Sequence, residues 1–345
     1  MGGHVSPRVA YWTSAFEPEM EAIASEVALL RRHFRHSIAW GLSHLHWVRL
    51  SLGRGYCLHP RLQAVFRVVT RVLEPAFQIN HVFGSLGDWY YLESRKRRPT
   101  VLTVAAAYPP VEAALLRRVN RFVVEYPGGL DFLASHGIPG DRVRLILPPV
   151  DLRRFVPAPA PEGPFTALFA SSPDKETWLD ARGVPQILDA AQRRPQMIFR
   201  LLWRPWGDSE PRVRQWIAER GLHNVELIVG RSRDMARHYR AAHVVLAPFT
   251  DLARSKPAPN SVIESLACGR PALVTEAVGL ADLVRAGHAG YVAAPTGEAL
   301  AEGLDRVRAD WDHYAREARA LAERAFGVER FVQAYRQLYE EVLAA

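Results

Sequence analysis

The sequence predicts an α/β protein made of two doubly wound, Rossmann-like halves, and three observations carry that expectation. Short aliphatic and β-branched runs alternate with amphipathic helical stretches along the chain, the pattern of strand–helix–strand units on a parallel sheet. The 345 residues suffice for two domains, each with its own core. A stiff, proline-rich stretch, PAPAPEGP over residues 157–164, breaks the alternation near the middle. The expected domains are residues 1–157 and 164–328.

In the first half, residues 8–12 read as a strand, 13–19 as a loop, and 20–33 as a helix with Ile23, Val27 and Leu30 on one face. Residues 36–41 form the next strand. The loop after the first strand is where doubly wound folds bind ligands; here it reads SAFEPEME, acidic and without glycine. Residues 62–73, LQAVFRVVTRVL, place Leu62, Val65, Phe66, Val69, Val72 and Leu73 on one stripe, with Arg61, Arg67 and Arg71 off it. The preferred reading is a core-facing helix with its arginines in water; the other is a basic amphipathic helix on an anionic membrane. Strands follow at 77–83, 99–108, 121–126 and 143–147, with helices after residues 84–88, from Pro109 and Pro110, and over 128–136.

The second half repeats the alternation, with strands at 165–170, 199–203, 225–229 and 244–247. Helices lie between them at 184–192, at 210–220 and from Arg233. Then comes KPAPNSVIESLACGRP over residues 256–271. Its prolines form a loop; Asn260 and Ser261, good N-caps, precede a short helix over 262–268; Gly269 ends it, and PALVT reads as a buried strand. A helix N-terminus fed by a loop offers free N–H groups and a positive dipole end, which suits a phosphate. One turn further, Glu264 can accept two hydroxyl hydrogens, as a ribose diol offers them. A helical segment at 280–286, a strand at 290–292 and two long helices complete the chain.

Composition excludes several classes. With 48% apolar and 23% charged residues, the chain is neither disordered nor fibrous. No apolar run reaches the roughly 18 residues of a membrane span, and the first residues carry no signal-peptide core. Cys57 and Cys268 stand far apart and outside any CxxC pair, so a soluble, cytoplasmic protein is expected. The net charge of +8 sits almost wholly in residues 1–150, which hold 18 Lys and Arg against 11 Asp and Glu. Between Glu26 and Glu74 there are eight arginines and no acid. Such a one-signed segment points to an anionic partner, here an anionic membrane surface at the inner face. Asp310 and Asp312 spell a metal-binding DxD, but in a helical run past the last strands, and they read as surface.

The 256–271 segment resembles the donor-binding motif of retaining GT-B glycosyltransferases of the family-4 type, written Glu, seven residues, Glu, then a small-residue turn. Glu264 matches the second glutamate, and the turn matches at residues 267–271. The first glutamate falls at Lys256, where the family carries a carboxylate facing the donor sugar. The resemblance continues at Gly137-Ile138-Pro139 and at Pro149-Val150-Asp151 with Phe155, similar to the family's domain junction. It implies two Rossmann-like domains facing each other across a cleft, with the last helix, about 329–345, returning to the first. It also implies transfer of a sugar from a nucleoside diphosphate sugar to a hydroxyl acceptor, with retention and without metal or other cofactor.

Residue by residue, the resemblance gives Glu264 the ribose and gives Arg182, with Lys175 or Arg204, the diphosphate. The base would lie along Gly230, Arg231 and Ser232, and the N–H groups of Asn260 and Ser261 would hold phosphate or sugar. His81 and Lys256 are the candidates nearest the reacting centre. Three rivals stand beside this expectation: an epimerase of nucleotide sugars on the same fold, a non-catalytic partner subunit, and a nucleic-acid binder. The last has only the basic charge in its favour.

Overall fold

The computed structural model describes residues 6–13, 16, 21–43, 46–51, 55–86, 97–106, 113–252 and 255–345. Asp88 and Glu112, acids near two expected strand ends, lie outside them, as does Glu19. The chain divides into two compact units, Met1–Pro148 with Glu329–Ala345, and Pro149–Val328.

The first unit holds an eight-stranded sheet. Its strands are β1 (Val9–Thr13), β2 (Ile38–Leu42), β3 (Val48–Ser51), β4 (Gly55–Leu58), β5 (Ile79–Ser85), β6 (Thr100–Ala106), β7 (Arg121–Val124) and β8 (Val143–Leu145). They lie in the order β3-β4-β2-β1-β5-β6-β7-β8, and only β3 is antiparallel to its neighbour. β1, β5 and β6 are buried along their whole length, as expected of parallel strands covered on both faces. The β3–β4 hairpin is new relative to the sequence reading; its strands have four residues each, too few to show a period.

Registers place Trp12 beside Trp40, Trp40 beside Tyr56, and Tyr56 beside Leu50 in one row across the sheet. The helix Gln63–Leu73 packs on this face through Phe66, whose ring meets Trp12 and Trp40 edge-on at 6.1 and 6.5 Å. A buried phenylalanine of this kind contributes roughly 1.5–3 kcal/mol. The expected apolar stripe is only partly the core face: Phe66 and Thr70 are buried, while Val65 and Val72 face water. The opposite face of the sheet is covered by the helix Ala22–His33 and by the last helix, Val328–Ala344, where the Phe34 and Tyr339 rings pack at 5.0 Å.

The second unit holds six parallel strands: β9 (Thr166–Phe169), β10 (Ile198–Trp203), β11 (Val225–Val229), β12 (Val244–Ala247), β13 (Ala272–Thr275) and β14 (Gly290–Ala293). Their order is β11-β10-β9-β12-β13-β14. From β9 the chain winds outward to one edge, then returns beside β9 at β12 and winds to the other. The carboxyl ends of β9 and β12 are therefore the topological switch point, where helices depart to opposite faces and leave a crevice.

The division between units falls at Pro148, ahead of the 157–164 stretch. Local bonds explain the difference. The Val150 N–H donates to the Phe326 carbonyl at 2.7 Å, and the buried Arg270 guanidinium donates to the carbonyls of Ala158 and Pro159 at 2.8 and 2.7 Å. The proline-rich run is thus fastened to the second unit at its start.

Candidate functional site

The helix Asn260–Ala267 begins at the switch point of the second unit. Val262, Ile263, Leu266 and Ala267 are buried, which leaves Asn260 and Glu264, one turn apart, on the remaining face. Gly269 ends the helix in the left-handed region (φ 66°), with its N–H on the Leu266 carbonyl and the Arg270 N–H on the Ser265 carbonyl. The expected caps shift by one position. Pro259 occupies the N-cap, and Asn260 and Ser261 lie inside the first turn. Their side chains turn to other partners: Asn260 Oδ1 faces Lys256 Nζ at 3.4 Å, and Ser261 Oγ shares a hydrogen with Ser171 Oγ at 2.8 Å. That serine pair bridges the loop after β9 to the helix after β12.

Neighbouring loops brace the loop after β9. The Arg204 N–H donates to Ser172 Oγ at 3.2 Å, Ser209 Oγ donates to the Pro173 carbonyl at 2.6 Å, and the Asp208 N–H donates to the Asp174 carbonyl at 2.9 Å. On its other side the Thr250 N–H donates to the Ala181 carbonyl at 3.0 Å. Gly183 follows with φ 71°, so close under Pro248 that a Cβ would sit 1.9 Å from the proline carbonyl oxygen.

Glu264 is the electrostatic centre of this crevice. Its Oε2 accepts a hydrogen bond from the Tyr239 hydroxyl at 2.7 Å. Burial raises its pKa to about 7, against the opposing pull of the Tyr239 hydrogen bond and the positive charges of Arg154 and Lys256. Tyr239 is buried and held well above the usual phenol range, first by burial and then by the Glu264 charge. Arg154 owes its position to Asp151, whose Oδ1 accepts the Arg153 and Arg154 N–H groups at 3.0 and 3.3 Å. The Arg154 guanidinium then lies 5.2 Å over Phe155, whose ring sits 6.1 Å from that of Tyr239.

The other candidates gather less tightly. Arg204 is exposed, 5.5 Å over Trp206, and its charge reaches Tyr239. Arg231 approaches the same indole at 5.3 Å and is exposed beside Gly230 and Ser232, so Trp206 links the loops after β10 and β11. Lys175 lies 5.3 Å over Trp178, and Arg182 lies 4.9 Å over Phe249, each held against an aromatic face. Lys256 is half-buried beside Asn260. The sequence reading missed Tyr239 and Arg154. Arg154 lies between Asp151 and Phe155, two residues already singled out; nothing local marks Tyr239.

His81 belongs to the first unit. It lies within β5, fully buried, with Nδ1 2.6 Å from the Tyr339 hydroxyl and Nε2 2.8 Å from Thr103 Oγ1. Burial lowers its pKa well below the ordinary histidine value, so the ring is neutral. Both nitrogens are occupied inside the core of the first unit, and the histidine is a structural member of a buried Tyr–His–Thr–Tyr network that Thr103 extends to the Tyr335 hydroxyl at 2.9 Å.

Residues 174–310, which span most of this site, match the family model of glycosyl transferases group 1. An exopolysaccharide phosphotransferase of Streptomyces coelicolor is 27% identical over 143 residues; this chain spans 15% of that relative's length and 40% of its own is matched. Among solved structures, sucrose-phosphate synthase from Thermosynechococcus elongatus superposes with a TM-score of 0.80 at 17% identity, covering 98% of this chain and 99% of that one. A glycosyltransferase from Rickettsia africae gives 0.74 at 14% identity, over 98% and 99%. Anabaena HepE in complex with UDP-glucose gives 0.76 at 15% identity, over 96% and 99%. The fold is that of the GT-B glycosyltransferases, a mixed α/β chain with two parallel-sheet units.

Proposed function

We propose that the protein is a retaining glycosyltransferase of the family-4, hexosyltransferase-like type, carrying a sugar from a nucleoside diphosphate sugar to a hydroxyl acceptor without a metal. In that reaction the bond from the anomeric carbon to the diphosphate breaks, a bond to the acceptor oxygen forms, and the acceptor's proton passes to the departing diphosphate. The observation that carries the reading is the Glu264 carboxylate, fixed by Tyr239 at the switch point one turn inside a helix N-terminus. Glu264 accepts the ribose hydroxyls. The first-turn N–H groups of Asn260 and Ser261, together with Arg182, Lys175 and Arg204, offset charge on the leaving diphosphate. Gly230, Arg231 and Ser232 border the base. The two buried free cysteines suit a reducing, cytoplasmic compartment.

HepE was solved with UDP-glucose, so UDP and its sugars head the ligand panel for calorimetry, followed by the GDP and ADP series. Binding of one series should fall about 100-fold in Glu264→Ala, the loss of two hydrogen bonds to a charged group. Equal affinity in the variant would overturn the site. Lys256 supports a second reading: a cation beside Asn260 where the family carries a carboxylate suits a nucleotide-sugar binder that does not catalyse transfer. Slow hydrolysis of the bound donor without acceptor excludes that reading.

A further inference from the structure

Three valines of the helix Gln63–Leu73 face solvent: Val65, Val68 and Val72 are 48%, 61% and 68% exposed. Their spacing puts them on one side of the helix, the exposed Arg67 and Arg71 lie along their flank, and the exposed Arg61 lies in the turn before the helix. The edge of the sheet continues this surface. Trp47, Val48 and Leu50, on and beside β3, are 59%, 54% and 67% exposed. The Trp47 and His59 rings stack at 4.5 Å, and His59 Nδ1 accepts the Arg61 N–H at 3.2 Å, so the edge strand is tied to the turn that starts the helix. Leu50 pairs with Tyr56, Tyr56 stacks on Trp40 at 4.9 Å, and Trp40 touches Phe66. Leu50 therefore lies on the sheet face that the helix covers. Tyr56 also lines a cleft of about 260 Å³ with Arg31, Arg32, Arg35, Ser37 and Ile38.

We propose that this face of the first unit seats the protein on an anionic phospholipid surface. The valines, Trp47 and Leu50 enter the boundary between headgroups and acyl chains, and the arginines meet lipid phosphates. Arg67 and Arg71 flank the valine side of the helix, and Arg61 lies in the turn before it. A headgroup layer satisfies this arrangement, because guanidinium groups rise to the phosphates while their stems stay apolar. The absence of acids between Glu26 and Glu74 removes the repulsion such a surface would otherwise meet. No helix among the described residues is long and apolar enough to cross a membrane. The proposal concerns the first unit and stands independently of the nucleotide-sugar reading.

The test is co-sedimentation of the full chain with vesicles of phosphatidylcholine alone and of phosphatidylcholine mixed with phosphatidylglycerol. The expected result is binding to the mixed vesicles, weakened by salt, with partitioning reduced about tenfold or more in Val68→Asp/Val72→Asp and reduced also in Leu50→Ser, on the other element. Because these side chains are exposed, melting temperatures should hold, and they report whether each variant is folded. Failure of the folded wild type to bind mixed vesicles would overturn the proposal. Binding unchanged in both variants would do so too, since it would reflect bulk charge alone. A dimer that the valine variant dissociates, without vesicle binding, would assign the face to a second copy instead.

Discussion

The hydroxyl of Tyr239 and the carboxylate of Glu264, 25 residues apart, meet at 2.7 Å. The bond compensates part of the cost of burying a carboxylate and fixes its direction. In Tyr239→Phe the carboxylate loses a donor, its pKa rises further, and less of it is charged near neutral pH. Nucleoside diphosphate affinity should fall by about 1–2 kcal/mol, and raising the pH should recover part of it. Calorimetry across pH checks this; a loss independent of pH would give Tyr239 only a packing role.

Glu264 also leaves a signature in stability. Its folded pKa of about 7 lies above the unfolded value of 4.5, so between those values the folded state holds a proton that the unfolded state has released. Stability contributed by this group is full below the unfolded value and is lost as pH rises toward 7. Glu264→Gln should flatten that slope and stabilise the second unit by on the order of 1–2 kcal/mol above it. Denaturant melts of both proteins across this range measure the difference.

His81 gives the opposite slope in the first unit. Its folded pKa is depressed, so the unfolded chain takes up a proton first as pH falls below the ordinary histidine value of 6.5, and stability drops from there downward. His81→Phe removes that dependence but takes one partner each from the Tyr339 and Thr103 hydroxyls, which keep Tyr11 and Tyr335, at a cost of about 1–2 kcal/mol. Thermal melts between neutral and mildly acidic pH follow both effects. If the role is structural, donor affinity stays at the wild-type value.

Gly183 joins the loop after β9 to the loop after β12. Gly183→Ala meets both a positive φ and a backbone oxygen at 1.9 Å, and should cost about 3 kcal/mol or more. Its melting transition should fall clearly, and nucleotide affinity with it, because Arg182 is the preceding residue. An unchanged melting temperature would mean the two loops separate easily.

The parts legible in the sequence were those with local causes. The KPAPNSVIESLACGRP run announced its helix, its glycine stop and its strand because prolines, small residues and a left-handed glycine act within a few residues. Parallel strands such as β12 and β13 showed as short apolar runs because both their faces are covered. The β3–β4 hairpin stayed hidden, since four-residue strands at a sheet edge carry no such run. Residues 62–73 carry one wide apolar stripe, and its period does not say which edge of the stripe is buried.

By itself the sequence determined the alternation of strands and helices, the segment that carries Glu264, and the concentration of positive charge in the first half. Each follows from residue chemistry at short range. Only the tertiary structure decided that Phe66 and Thr70 turn inward while the valines turn out, because Trp12 and Trp40 supply the surface that receives the phenylalanine. It likewise decided that His81 lies in the core, since Tyr339, 258 residues further along the chain, brings the hydroxyl that occupies its ring nitrogen.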